Sequence, residues 1–109
     1  MEDCMEKEVD LQFKEIPLYE QCKEAYKGII GFGSKKRKII NSSLFLQAVQ
    51  QVVCRALNNQ CNLTSRELHN VKFMISELLN SNNFDGRYKY RLRNLQQEIR
   101  GITIDGLTK

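Results

Sequence analysis

An all-α fold, a small bundle of about four helices with a short helical or irregular N-terminal segment, is what three features of this sequence predict. Apolar residues recur at i, i+3, i+4 and i+7 over four separate stretches. Glycine or asparagine closes each stretch. One of them opens on a capping box, Thr64 with Glu67 three residues later, in which each residue satisfies a free backbone amide of the other. At 109 residues the chain is long enough for one domain with its own core. Its composition, 41% apolar and 28% charged, is that of a soluble globule and too apolar for a disordered tail.

The elements follow in chain order. Residues 1–12 read as an acidic arm, with no periodicity before Val9. Val9, Phe13 and Ile16 then fall at i, i+4, i+7, a short helix lying on a core. Pro17 interrupts it and opens the next, because proline disfavours helix in the residue before it and suits a first turn. Leu18, Cys22, Ala25, Tyr26 and Ile29 form the stripe of that helix. Gly31, Phe32 and Gly33 end it, since two glycines so close together cost helix propensity and permit left-handed turns. Ser34, Lys35, Lys36, Arg37 and Lys38 read as a basic loop, after which Ile39 and Ile40 return the chain to the core.

Asn41, Ser42 and Ser43 supply capping oxygens for a second helix. Phe45, Val49, Val52, Val53 and Ala56 line one face of it, widened by Leu46 and Leu57. The β-branched valines would suit a strand, but the flanking Gln, Ala and Arg favour helix. Asn58 and Asn59 end the run by competing for backbone hydrogen bonds. After the capping box, Leu68, Val71, Ile75, Leu78 and Leu79 make a third apolar face. Residues 80–83 are a polar break, and Asp85-Gly86 is turn-like. A last helix runs from about Arg87 to Arg100, with Tyr88, Leu92, Leu95 and Ile99 in a narrow arc. Gly101 stops it. The domain organisation that results is an arm at 1–12, a bundle at 13–101 and a loose or extended tail at 102–109.

Charge narrows the function classes. Lys and Arg number 17 against 13 Asp and Glu, a formal net charge of +4. The charge is uneven: residues 1–24 carry −5 and residues 25–109 carry +9. Such a split predicts a basic surface for an anionic partner behind an acidic arm. No apolar run approaches the roughly 18 residues of a membrane span. The acidic start lacks the basic and apolar regions of a signal peptide, so a cytoplasmic or nuclear location is expected. Cys4, Cys22, Cys54 and Cys61 contain no C-x-x-C pair, and His69 is the one histidine. Neither a zinc site, a disulfide framework nor any cofactor is expected, and the cysteines read as free thiols.

The last helix carries the main candidate binding residues. Arg87, Lys89, Arg91, Arg93 and Arg100 flank its apolar stripe, with Tyr90 and Gln97 near the middle of the outer face. At about 100° per residue, Lys89, Arg93 and Arg100 share one flank, and Arg87 and Arg91 the other. Guanidinium groups fork onto phosphate or carboxylate oxygens, and an exposed tyrosine stacks on a base or fills a pocket. The same arginines would serve equally as a solvated face whose stems cover apolar surface. Lys35, Lys36, Arg37 and Lys38 add four charges in a row, suited to a nucleic-acid backbone and also to simple solvation of a loop. If both segments face one way, nine bases form one patch. Phe73 lies off its helix's main stripe, as a partner contact or, equally, as a side core under the N-terminal segment.

Two catalytic readings fail on context. Gly28 and Gly33 have phosphate-loop spacing, but Ser34 precedes Lys35, the reverse of the required order, and no strand comes before. Cys54 and His69 have nothing to orient them as nucleophile and base.

Residues 68–93 resemble the central domain of transcription elongation factor S-II. The likeness rests on Val71, Ile75 and Leu79, then a polar turn, then Tyr88-Lys89-Tyr90-Arg91-Leu92-Arg93, which matches that family's Y-K-x-R-[VL]-R helix opening. Cys54-Arg55-Ala56-Leu57 corresponds loosely to the end of the family's preceding helix. The resemblance implies a helical bundle docking on RNA polymerase, with Lys89, Arg91 and Arg93 as docking residues. The family continues into further helices where this helix stops at Gly101, and its zinc ribbon for transcript cleavage is absent, so that activity is not implied. The expectation is a non-catalytic helical module engaging nucleic acid or the transcription machinery. The alternative is a small inhibitor, adaptor or immunity-type protein binding an acidic protein surface.

Overall fold

Helix α1 (Leu18–Ile30) starts where the proline predicts. Pro17 takes the N-cap position, and its carbonyl accepts the Gln21 N–H at 3.0 Å. In the computed structural model, residues 17–58 and 63–102 are described; the predicted acidic arm, the short helix around Val9 to Ile16 and most of the predicted tail fall outside them. Of the α1 stripe, Leu18, Cys22, Ala25 and Ile29 are buried and Tyr26 is half-buried. The turn after it is not left-handed: Gly31 is extended, with φ −81° and ψ −173°.

Helix α2 (Lys35–Leu57) corrects the reading of the basic run. Lys35, Lys36, Arg37 and Lys38 are its first turn rather than a loop, and Asn41, Ser42 and Ser43 lie inside it. Ser34 is the cap, its hydroxyl accepting the Arg37 N–H at 3.1 Å. Lysine and arginine are good helix formers, so the run propagates once capped. Cations at a helix N-terminus oppose its dipole, and no acid in this turn offsets them. Lys38 is relieved differently. Its ammonium donates to the carbonyls of Ile29 (2.9 Å) and Gly31 (2.8 Å), groups left without partners where α1 ends. Lys38→Met is therefore expected to lower stability by about 1 kcal/mol in urea titrations, while Lys36→Met stays within about 0.5 kcal/mol. An equal effect at both positions would remove Lys38 from this role.

Phe45, Val49, Val52, Val53 and Ala56 are buried, together with Leu46 and Ala48. Two expected core residues are not. Ile40 is 52% exposed and Leu57 68%. Starting the helix six residues earlier than the predicted caps carries Ile40 round to the outer side, and Leu57 sits at the frayed last position. Helix α1 folds back on α2 closely enough that a Cβ on Gly28 would lie 2.7 Å from Asn41 Cγ.

Helix α3 (Ser65–Leu79) opens on the predicted capping box, with Glu67 N–H to Thr64 Oγ1 at 3.1 Å and Thr64 N–H to Glu67 Oε1 at 3.0 Å. Leu68, Val71, Met74, Ile75 and Leu78 are buried and Leu79 partly so. Asn70 Nδ2 donates to Tyr19 Oη at 3.1 Å, tying α3 to α1.

Helix α4 (Gly86–Arg100) is capped by Asp85, whose carboxylate accepts the Arg87 N–H at 3.1 Å. Leu92 and Ile99 are buried, Tyr88 and Leu95 half-buried. The break before it holds a core residue, Phe84. It is 2% exposed and stands edge-on to Phe45, ring centroids 6.4 Å apart and planes at 82°. Ile102, read as tail, is buried, and its carbonyl accepts from Lys72 Nζ at 3.2 Å. Helices α1 and α4 each pack against both α2 and α3, so the core lies inside a ring of four helices. No strand occurs among the described residues.

Candidate binding surface

With Leu92 and Ile99 buried at its centre, α4 turns its bases to two flanks. One flank meets α2. Arg91 lines an open groove of about 250 Å³ there, with Gln50, Cys54, Leu57, Leu95 and Glu98 around it. Arg87 Nη2 pairs with Asp85 Oδ2 at 3.0 Å. The Asp85 carboxyl is held below its ordinary value, first by the Arg87 backbone N–H and further by the Arg87 side chain and by the charge of Lys35. The Asp85 backbone also meets α2, its N–H donating to Ser42 Oγ at 3.1 Å.

The other flank meets α3. Gln96 Nε2 donates to Ser76 Oγ at 3.2 Å, and Lys72 reaches Ile102. These two contacts set α3 and α4 antiparallel, with Asn80 level with Arg93 and Phe73 level with Arg100. Lys89, Arg93 and Arg100 belong to this side. Arg93 and Arg100 are exposed, and Lys89 is half-exposed.

The bases of α4 divide between its two flanks: Arg91 lines the groove towards α2 with Arg87 on the same side, while Lys89, Arg93 and Arg100 lie on the side of Gln96, which meets α3. Lys36 and Arg37 stand exposed at the start of α2, and Lys38 is taken up by the carbonyls of α1. Tyr90 is 73% exposed on the outer side of α4 and Phe73 is 55% exposed on α3; the N-terminal segment weighed as a cover for Phe73 lies outside the described residues. Sequence reasoning missed Lys72 and Phe32. Lys72 had no signal apart from its place four residues before Ser76. Phe32 was absorbed into the glycine turn, where it stands fully exposed.

The residues weighed for catalysis stay apart in character. Cys22 is buried, and burial pushes its thiol up to about 12, well outside nucleophile chemistry at neutral pH. Cys54 is exposed at the α2–α4 groove, and His69 is exposed on α3. Gly28 lies within α1 and Lys35 within α2, with an extended turn between them. Among the described residues no group of three His, Cys, Asp or Glu side chains is placed to hold a metal ion. No helix among them is long and apolar enough to cross a membrane. Set against protein-family models, curated proteins and solved structures, the chain matches none.

Proposed function

We propose that this chain is a non-catalytic helical module that binds nucleic acid, or the transcription machinery assembled on it, through its basic surface. One observation carries the reading. The described residues hold fourteen bases against six acids, yet only two ion pairs form among them, Lys27 with Glu24 and Arg87 with Asp85. A fold that leaves so much positive charge unneutralised retains an electrostatic footprint suited to a polyanion. The resemblance of residues 68–93 to the elongation factor S-II central domain supports the machinery version, with Lys89, Arg91 and Arg93 as docking residues. The exposed Phe73 and Tyr90 favour the second reading, an inhibitor or adaptor that binds an acidic protein surface through aromatic anchors.

Fluorescence anisotropy against short single- and double-stranded DNA and RNA at about 50 and 200 mM salt tests the proposal. Binding at the lower salt that falls at least tenfold at the higher is expected. Arg91→Glu with Arg93→Glu should abolish it and leave the helical circular dichroism intact. No binding to any of the four at the lower salt overturns the nucleic-acid reading and directs attention to an acidic protein partner.

A further inference from the structure

We infer that the outward face shared by α3 and α4 takes single-stranded nucleic acid, with Arg93 and Arg100 on the backbone phosphates and Tyr90 and Phe73 as platforms for unstacked bases. The inference rests on the nucleic-acid reading above and goes beyond it by choosing one of the two basic flanks and one form of the ligand.

The antiparallel register builds the face. Ser76 lies against Gln96, and Lys72 reaches past the end of α4 to Ile102, so Phe73 is brought level with Arg100. Along α4 the order is then Tyr90, Arg93, Gln96 with Ser76, and Arg100 beside Phe73. Ten residues separate Tyr90 from Arg100, about 15 Å at 1.5 Å per residue. Arg93 stands between the levels of the two aromatic rings, and Arg100, about 10 Å further along, stands level with Phe73. All four side chains are exposed, and neither arginine has an ion-pair partner among the described residues. Three of the four acids in and beside these helices are elsewhere. Glu67 closes the capping box, Asp85 holds Arg87, and Glu98 lines the groove towards α2. Glu77 shares the outward arc of α3, on its edge away from α4.

The form of the ligand follows from what flanks α4. A recognition helix about 10–12 Å across fits a major groove about 12 Å wide only when its sides are free. Here α2 and α3 both lie against α4, so both of its sides are taken up within the ring of four helices. A basic face with open aromatic rings is the combination that holds single strands, because every base has a π-face to stack and every phosphate a charge to neutralise.

The test uses the full chain and fluorescein-labelled thymidine and uridine homopolymers of about twelve nucleotides, with a duplex of the same length as comparison. Phe73→Ala and Tyr90→Ala are each expected to weaken single-strand binding by about 5- to 150-fold. Neither should change the salt dependence. Arg93→Gln with Arg100→Gln should instead reduce the slope of log affinity against log salt by about 1.4, since each phosphate contact on a single strand contributes about 0.7. Lys35→Gln with Arg91→Gln, on the other flank, should weaken single-strand binding less than Arg93→Gln with Arg100→Gln does. All of these side chains are exposed, and unchanged thermal melts certify the fold. Single-strand binding that survives loss of both aromatics, or that depends on Lys35 and Arg91 instead, overturns this inference and leaves the proposed function standing. A preference for the duplex does the same. No binding to either strand or duplex at about 50 mM salt removes both.

Discussion

Phe84→Ala is expected to lower stability by about 3–5 kcal/mol, a large share of the roughly 5–15 kcal/mol available to a domain of this size. The ring is 2% exposed and packs edge-on against Phe45, itself fully buried, so truncation removes an aromatic pair as well as apolar surface. It also leaves a cavity that the surrounding helices close only in part. Phe84 belongs to no helix. It plugs the core from the turn between α3 and α4, and thereby fixes where α4 begins against α2. Urea titration followed by circular dichroism gives the measurement. Phe73→Ala, which removes an equal volume from an exposed position, should stay within about 1 kcal/mol. A Phe84→Ala midpoint close to wild type would mean that the turn does not anchor the core.

Ser42→Ala is expected to cost about 2–3 kcal/mol, more than a typical hydrogen-bonded serine. The Ser42 hydroxyl is fully buried and used twice. It donates to the Lys38 carbonyl at 2.7 Å and accepts the Asp85 N–H at 3.1 Å. Alanine leaves the Asp85 N–H without an acceptor at the junction where the cap of α4 meets α2, and an unsatisfied buried donor carries its full desolvation penalty. Hydrogen exchange should show the loss first in the amides at the start of α4, while α1 amides retain protection down to global unfolding. Uniform loss of protection over all four helices would mean that the hydroxyl serves general stability and not this junction.

The capping box and the four apolar stripes were legible because they depend on neighbours within four residues, which any helical chain brings together. The misreadings have a common cause. The cap of α2, read at Asn41, Ser42 and Ser43, lies at Ser34, and contacts distant in sequence accompany that shift. Lys38 reaches back to α1, and Ser42 is needed for Asp85, 43 residues on. Ile40 and Leu57 then follow the phase of the longer helix. Phe84 was hidden in a polar stretch because a single core aromatic has no periodicity to reveal it.

The candidate surface divides in the same way. That α4 is basic on both flanks of an apolar stripe was plain from spacing alone. Which flank meets α2 and which meets α3, and that Lys38 is not free, depended on contacts such as Gln96 with Ser76 and Lys38 with Ile29.

By itself, then, the sequence determined the class of fold, the order of the helices, most of their boundaries and the excess of positive charge. These are sums over local propensity and composition. The tertiary structure alone decided where the basic residues stand, which of them are taken up internally and how Phe84 closes the core. Those outcomes depend on side chains that meet across tens of residues, and their partners are set only when the helices pack.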